Sequence, residues 1–345
     1  MKISKPVSLS IAALAVWAVI SWFVPNWAGL HSPVAYYLRG ALWLLGLIAF
    51  MGYLFLRAEP ASSDGGAADA SGIDYAFAEA AKRLHSAGIK QLGALPAVFL
   101  LGEPGAAKTT IVAHSGLEPE LLAGQAYQDN LVAPTRGLNL WYARNTLFVD
   151  PGGAILSEGA ARRKIFRKFL PVRLHAVVAA KAPPARAVVF TLDCNAFLQP
   201  GGAEALAVKA RQFQSVLAEL SQDLGSSFPV YVLFTKADKI GYFQDFVKNL
   251  TGEEASELFG ASLPVRPAQN QGVYSEEQTR RLSEAFQRLY RVLCDRRSDY
   301  LAREHEAGLL PNVYEFPREF QKLRTLLVQF LVDLCRPSQF GTAPF

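Results

Sequence analysis

Two long runs without a charged side chain stand near the start of the chain, at residues 7–24 and 40–56. Each approaches the roughly 20 apolar residues that a membrane-spanning helix requires. The connection between the runs carries no Lys or Arg, whereas Lys5 and Arg57 flank their outer ends. By the positive-inside rule this pattern predicts a two-helix transmembrane hairpin over residues 1–57, with both ends cytoplasmic. A cleaved signal peptide followed by one anchor is the alternative, although no A-x-A site follows the first run.

The composition changes after the hairpin. Residues 58–72 are small, polar and rich in glycine, which predicts a flexible linker. Residues 73–265 are predicted to form an α/β domain, because short apolar runs of buried-strand type alternate with turns and an amphipathic stretch of helical period covers 202–224. The apolar runs that predict its strands are 96–101, 139–143, 146–150, 185–193 and 229–234.

The last part of the chain, residues 266–345, is predicted to form a helical subdomain that is incomplete at its end. A capping box at Ser275–Gln278 opens a helix that extends to about His305, and a second helix is predicted over 316–334. Within the α/β domain, residues 161–173 form a basic amphipathic stretch. This stretch predicts either a contact with an anionic membrane surface or a partner, or a solvated helix face.

Composition narrows the class of protein. Hydrophobic residues make up 51% of the 345 residues and charged residues 19%, which excludes a disordered, highly charged tail protein. The net charge is +5, but the first 57 residues hold four basic residues and no acidic one, so the remainder is close to neutral and gives no support to nucleic-acid binding. The three cysteines and five histidines form no C-x-x-C, H-x-H or H-E-x-x-H pattern, so neither a disulfide framework nor a zinc site is expected.

A glycine-rich turn follows the first predicted strand. Residues 102–110 read GEPGAAKTT and match the phosphate-loop pattern G-x-x-x-x-G-K-[ST] at Gly102, Lys108 and Thr109, whereas Ala107 replaces the second glycine. In such a loop, backbone N–H groups surround a phosphate, the lysine neutralises the β- and γ-phosphates and the hydroxyl binds Mg²⁺. The Ala107 methyl group narrows the approach to phosphate and strains a dihedral angle that glycine tolerates. A turn that binds nothing is the alternative.

Two further positions are expected beside this loop. Asp150 ends the strand 146–150 and is followed by Pro-Gly-Gly, a D-x-x-G pattern in which the carboxylate acts on Mg²⁺ through water. Thr135 lies in the segment APTRG, where Ras-like proteins carry a switch threonine that reaches Mg²⁺. We therefore predict that Thr109, Thr135 and Asp150 form the metal site. An ordinary Asp-Pro-Gly turn and a solvated loop threonine are the alternatives.

A third motif follows the last predicted strand. Thr235-Lys236-Ala-Asp238 resembles the [NT]-K-x-D element with which Ras-like GTPases recognise the base, the aspartate accepting from guanine N–H groups. No second base-binding motif follows, so guanine and adenine both stay open, and a solvated loop is the alternative. The predicted nucleotide-binding residues, for ATP or GTP with magnesium, are Gly102, Gly105, Lys108, Thr109, Thr110, Thr235, Lys236 and Asp238.

The order of these motifs resembles that of the Ras-like class of P-loop proteins. With the hairpin in front, the sequence resembles the TssM/IcmF family. The stretches that carry this resemblance are the hairpin, GEPGAAKTT with the following SGLEPEL, NLWYARNTLFVDPGG, FPVYVLFTKADKIGYFQDF and SQFGTAPF. The implied fold class is α/β: an N-terminal two-helix transmembrane hairpin, then a Ras-like P-loop NTPase-type domain with a mixed sheet, then a helical extension.

The resemblance implies a subunit of the type VI secretion membrane complex in the bacterial inner membrane, with its soluble domain cytoplasmic. The implied partners are the inner-membrane protein TssL, baseplate components and the lipid bilayer, within an oligomeric membrane complex and without nucleic acid. The family continues to a further transmembrane helix and to a periplasmic region that contacts an outer-membrane lipoprotein. The chain therefore resembles a short or truncated member.

Departures from the family pattern bear on the chemistry. Asp150-Pro-Gly-Gly stands where the family has D-T-A-G, and Ala154 occupies the place of a water-positioning Gln. Because Ala154 cannot orient an attacking water, nucleotide binding with at most weak NTPase activity is favoured over fast hydrolysis, and no catalytic residue is predicted. We expect a structural assembly subunit that anchors a nucleotide-binding domain at the membrane. An active membrane GTPase or ATPase and a pseudo-NTPase scaffold are the alternatives.

Overall fold

The computed structural model describes residues 17, 36, 42–44, 67–89, 92–128, 131–133, 135, 137–169, 184–224, 228–263 and 274–336. The chain divides into two compact units, Met1–Gly65 and Gly66–Phe345. In the first unit Trp17, Tyr36 and residues 42–44 are helical, and the Trp17 indole N–H donates a hydrogen bond of 3.1 Å to the Leu42 carbonyl. The elements described below all belong to the second unit.

No helix of the described residues is both long enough and apolar enough to cross a membrane. Contrary to the predicted fold class, the described residues therefore contain no transmembrane hairpin. Residues 1–57 lie outside them, except for Trp17, Tyr36 and residues 42–44. The prediction rested on the absence of charge in two runs of sequence.

The strands of the second unit have two to eight residues. Within the described residues they are β1 (Ala97–Gly102), β2 (Glu120–Ala123), β3 (Tyr127–Gln128), β4 (Leu131–Val132), β5 (Leu138–Ala143), β6 (Thr146–Pro151), β7 (Arg186–Asp193) and β8 (Val230–Thr235).

The helices lie between the strands and, after β8, replace them. Within the described residues they are α1 (Ala67–Ser86), α2 (Lys108–Ala113), α3 (Gly153–Ser157), α4 (Gly159–Arg167), α5 (Asn195–Leu198), α6 (Gly202–Leu224), α7 (Phe243–Val247), α8 (Gly252–Ser256), α9 (Tyr274–Arg303), α10 (Leu310–Lys322) and α11 (Arg324–Leu334). Short 3₁₀ turns cover Leu92–Ala94 and Ala237–Lys239.

Six strands form one mixed sheet in the order β2-β5-β6-β1-β7-β8. Strands β6, β1, β7 and β8 are parallel, whereas β5 runs antiparallel to β6 and β2 runs antiparallel to β5. Strands β3 and β4 form a separate antiparallel pair. Because the carboxyl ends of parallel strands meet at one edge, the segments that follow β1, β6, β7 and β8 all gather at that edge.

The β5–β6 hairpin confirms the predicted strand pair and its tight turn. Arg144 and Asn145 both have positive φ, of 46° and 60°, as a two-residue type I′ turn requires. Asn tolerates this conformation well, and the exposed Arg144 adopts it at the first position of the turn. The register that follows places Asn139 directly opposite Asp150.

The central strands are buried on both faces, as their continuous apolar sequence predicts. Phe99 of β1 lies at 0% exposure, and its ring meets those of Phe166 and Phe169 edge-on, with centroids 5.6 and 5.1 Å apart. Phe190 of β7 packs in the same way against Phe213 of α6 at 4.3 Å. Helices α4 and α6 thereby cover the central strands. At the far edge, β8 leaves Tyr231 57% exposed.

The basic stretch predicted at 161–173 binds acidic side chains of the same chain. Lys164 and Lys168 form ion pairs with Asp74 of α1 at 2.6 and 3.0 Å. Arg162 and Arg163 contact Glu219 of α6. In residues 161–169, which the structure describes, the basic side chains therefore join α4 to its neighbours, and these contacts do not support the predicted membrane or partner surface.

The helices of the last part of the chain begin and end at positions that differ from the prediction. The single helix expected over 316–334 is two helices that meet at Leu323, which is 3% exposed. Helix α9 begins at Tyr274, close to the predicted start. A capping box is present at the start of α8, where Thr251 and Glu254 exchange hydrogen bonds. Helix α1 begins at Ala67, so six residues of the predicted linker are helical.

The α/β class and the mixed sheet agree with the prediction, but the Ras-like P-loop NTPase-type domain is not supported. The helix that follows the glycine-rich turn has only six residues. In the described residues the sheet ends at β8, and the chain after it contains helices and turns but no strand. The prediction extended a motif order to a whole fold class, which local motifs do not determine.

Candidate functional site

The glycine-rich turn 102–110 connects the end of β1 to α2 at the carboxyl edge of the sheet. Position 102 requires glycine, because a Cβ there would collide with the Thr191 hydroxyl on β7. Gly105 has φ +75° and opens onto free space. Ala107 has φ 59° and ψ 22°, the left-handed conformation in which a side chain is strained. The strain predicted for the second glycine position is therefore present.

Lys108 is buried inside this turn. The residue is only 6% exposed, and its Nζ donates hydrogen bonds of 3.0 Å to the carbonyl oxygens of Gly102 and Glu103. Burial lowers the pKa of Lys108, while the charges of Asp150 and Glu103 act in the opposite direction. The turn thus holds a cation under its backbone, at the place where the phosphate-loop pattern puts one. Thr110, by contrast, is exposed.

Three oxygen atoms form a close triangle beside this lysine. Thr109 Oγ1 lies 2.8 Å from Thr135 Oγ1, and each of these two atoms lies 2.8 Å from Asp150 Oδ2. The two hydroxyl groups supply only two hydrogens for three contacts. Oxygen ligands of an octahedral Mg²⁺, at about 2.1 Å from the ion, lie about 3.0 Å from one another, so the triangle matches one face of that octahedron.

Asp150 is the centre of this cluster. It is 0% exposed, and its second oxygen, Oδ1, has no hydrogen-bond partner among the described residues. Burial raises the pKa of Asp150, while the hydroxyls of Thr109 and Thr135, the charge of Lys108 and the carboxamide of Asn139 act to lower it. A buried carboxylate with an unsatisfied oxygen is stabilised by a cation. The structure therefore brings the oxygens of Thr109, Thr135 and Asp150 together, and magnesium binding by them stays a prediction.

Asn139 belongs to the same cluster and was missed by the motif analysis. It is 1% exposed on β5, and its carboxamide bonds to the Thr135 hydroxyl. No motif contains it. The sequence does carry one signal: Asn139 is a single polar residue within the apolar run LNLWYA. The tight turn of the hairpin places this residue opposite Asp150.

The D-x-x-G segment packs directly on the glycine-rich turn. Gly153 follows Asp150 by three residues, and a Cβ on it would collide with Pro104 of the turn. Ala154, which stands in place of a water-positioning Gln, is exposed. Sequence-distant segments after β1 and β6 therefore meet with no room for a larger residue at position 153.

The predicted base-recognition residues lie elsewhere on the same edge. Thr235 ends β8 and donates through Oγ1 to the Leu192 carbonyl over 3.1 Å. Lys236 has a φ of 56°, and its ammonium pairs with Asp193 at the end of β7 over 2.7 Å. Asp238 is partly exposed in the following turn. Strand β7 separates β8 from β1, so at the ordinary spacing of strands β8 itself runs about 10 Å from β1.

The described residues contain no group of three or more His, Cys, Asp and Glu side chains placed to hold a metal ion. The cluster described above has one carboxylate and two hydroxyls, so its ligand set is that of a hard cation such as Mg²⁺ rather than of a transition metal.

Comparison with known proteins bears on the family. Residues 181–345 match the family model of the IcmF-related N-terminal domain. The chain is also 27% identical over 256 residues to the type VI secretion system component TssM1 of Pseudomonas aeruginosa. Both comparisons support a similarity to the TssM/IcmF family. The resemblance noted in the sequence is thereby confirmed.

The extent of these matches limits which properties of the relatives can be carried over to this chain. The aligned part covers 74% of this chain but 23% of the TssM1 relative, so the chain spans about a quarter of that relative's length. No solved structure matches the chain. The comparisons give the Ras-like P-loop NTPase assignment no support.

Proposed function

We propose that this chain acts as an assembly component of a type VI secretion system and that its glycine-rich turn binds ATP or GTP with magnesium. The observation that carries the proposal is the oxygen triangle of Thr109, Thr135 and Asp150 beside the buried Lys108. A lysine beside a hard-cation site is the combination that a metal-bound polyphosphate requires.

The roles follow from the positions of the side chains. Lys108 would exchange the carbonyls of Gly102 and Glu103 for phosphate oxygens, and Gly105 leaves the turn open toward solvent. Thr109, Thr135 and Asp150 would hold Mg²⁺, which when bound offsets the charge of the phosphates. Thr110 and the base-recognition residues Thr235, Lys236 and Asp238 remain predicted contacts to the nucleotide.

The proposed role is assembly rather than fast catalysis. Ala154 offers no group that could orient water, and Ala107 keeps a methyl group where the pattern has glycine. Nucleotide binding would act through the segment of Thr135 and the turn after Asp150, changing the surface offered to other components. A scaffold that binds no nucleotide is favoured by one observation: the ammonium of Lys108 is already satisfied by two carbonyls of its own turn.

Partners and location belong to the same proposal. The TssM1 relative is named as a type VI secretion system component, and this chain covers only a quarter of it, so a complex with TssL and baseplate components at the bacterial inner membrane is proposed through the family alone. Anchoring by a transmembrane hairpin is not part of the proposal.

The test is nucleotide binding by the full chain, measured with the fluorescent analogues mant-ATP and mant-GTP in the presence of Mg²⁺. Replacing Lys108 by Ala should weaken binding at least tenfold, because a charge-assisted contact of roughly 1.5–3 kcal/mol is lost. Lys248→Ala is the matched control, since Lys248 pairs with Glu304 and Glu306 in the helical part.

Three outcomes separate the hypotheses. Binding that depends on Lys108 but not on Lys248 supports the proposal. Equal and negligible binding by wild type and Lys108→Ala rejects it and leaves the scaffold. Hydrolysis faster than about 1 s⁻¹, the range of ordinary enzymes, would favour the active NTPase.

A further inference from the structure

Asn139 connects three segments that surround the proposed metal site. It lies on β5 opposite Asp150, and opposed residues on antiparallel strands project to the same face of the sheet. Its Nδ2 donates to Thr135 Oγ1 over 2.9 Å, and its Oδ1 accepts from the backbone N–H of Gln125 over 3.0 Å. One buried carboxamide therefore joins the hairpin, the segment of Thr135 and the connection between β2 and β3.

The orientation of this carboxamide is determined by chemistry. The backbone N–H of Gln125 can only donate, so the carboxamide oxygen must face it and the NH₂ group must face Thr135. Gly124 permits the close approach: its φ is +102°, and a Cβ at this position would collide with Asn139 Oδ1. The neighbouring backbone thus directs the donor of Asn139 toward the Thr135 hydroxyl.

The N–H of Asn139 determines the direction in which the Thr135 hydroxyl donates its hydrogen. Because Thr135 Oγ1 receives an N–H from Asn139, its own hydrogen is free to point at Asp150 Oδ2, 2.8 Å away. The same contact holds the hydroxyl within 2.8 Å of Thr109 Oγ1. Among the described residues, Asn139 is the one member of this hydrogen-bonded group that is not itself a predicted metal ligand.

We propose that Asn139 is a positioning residue of the metal site, which holds the Thr135 hydroxyl against Asp150 and Thr109 so that the three oxygens are assembled in advance. The inference rests on the proposed binding of a magnesium nucleotide. Residues that orient metal ligands typically change metal affinity 10- to 100-fold when they are removed, even though they touch neither metal nor substrate.

The test is a double-mutant cycle on the full chain, with Asn139→Ala, Thr135→Val and their combination. The readout is the Mg²⁺ concentration that gives half-maximal mant-ATP or mant-GTP binding, compared with binding in EDTA. Asn139→Ala should raise that Mg²⁺ concentration about tenfold and leave binding in EDTA unchanged. In the Thr135→Val background the same substitution should have a smaller effect, because the hydroxyl that it positions is gone and only its action on Asp150 remains.

A purely structural role for Asn139 gives a different pattern. It would weaken binding in EDTA as well, and it would add the same factor in both backgrounds; either result overturns the inference. Asn249→Ala is the matched control, since it removes a carboxamide hydrogen bond to Glu304 far along the chain. Should Asn139→Ala fail to fold, Asn139→Ser, which keeps a polar side chain near Gln125, takes its place in the cycle.

Failure of the proposed function is distinguishable from failure of this inference. If wild type binds neither nucleotide, the proposed function is rejected, and the cycle is then read from urea unfolding without nucleotide. The Asn139–Thr135 contact predicts that the double variant loses less stability than the two single losses combined. Additive losses would overturn the contact itself.

Discussion

Ala107 offers a direct test of strain in the glycine-rich turn. Its φ of 59° and ψ of 22° place a residue with a Cβ in the left-handed region, immediately before α2. Replacing Ala107 by Gly removes the Cβ and with it the clash that makes this region unfavourable. We therefore expect Ala107→Gly to stabilise the protein, although most substitutions by glycine destabilise.

The magnitude is the difference of two opposing effects. A left-handed residue other than glycine costs about 1–2 kcal/mol. Glycine at the same place gives the unfolded chain more freedom, which costs about 0.4–1 kcal/mol. The net gain should be about 0.5–1 kcal/mol, which raises the melting temperature by about 2 °C for a domain of this size.

The assay is urea unfolding of the full chain, and the neighbouring alanine is the control. Ala106 is 2% exposed and is not among the described residues with positive φ, so Ala106→Gly relieves no strain. It should destabilise by about 1–1.5 kcal/mol through lost methyl burial and added chain freedom. If Ala107→Gly lowers the urea midpoint as Ala106→Gly does, the strain at this turn is not real.

Two further predictions concern packing and charge. A Cβ on Gly153 would collide with Pro104, so Gly153→Ala should destabilise by about 1–3 kcal/mol in urea unfolding; Gly137→Ala, where a Cβ meets nothing within 4 Å, is its control, and equal effects would contradict the packing. The hydrogen bond from Lys164 lowers the pKa of Asp74 below its ordinary value of 3.8. The ion pairs of Asp74 therefore stabilise the fold fully above pH 3.8, and this stabilisation is lost as the pH falls through the lowered pKa of the folded state. Asp74→Asn should therefore lower the urea midpoint at pH 7 but progressively less below pH 3.8, and a pH-independent difference would refute the ion pairs.

The parts of the fold that could be predicted from sequence are those where local pattern and tertiary position agree. The hairpin of β5 and β6 follows from two apolar runs separated by a two-residue turn containing Asn145. The bounds of α6 follow from an apolar face of helical period. The proximity of Lys108, Thr109 and Asp150 could be predicted because these residues end or follow strands of one parallel sheet, whose carboxyl ends meet.

What could not be predicted depends on contacts between distant segments. Nothing in the sequence near Leu323 signals a break, and the bend there depends on the packing of α10 and α11 against their neighbours. The alanines from Ala67 read as a flexible linker, yet alanine is the best helix former, and burial of Ile73 and Phe77 favours a helix. Asn139 gains its role only when Gln125 and Thr135 meet it.

The pairing of Glu103 with Lys209 has a mechanical consequence. Lys209 lies near the start of α6, a helix of 23 residues and therefore about 34 Å long, and its ammonium holds the Glu103 carboxylate over 2.9 Å. Farther along the same helix, Glu219 binds Arg162, and Gln214 binds the Arg336 carbonyl just after α11. Lys209 and Glu219 are separated by ten residues, a rise of about 15 Å along the helix axis. One rigid helix therefore connects the glycine-rich turn to α4 and to the segment that follows α11.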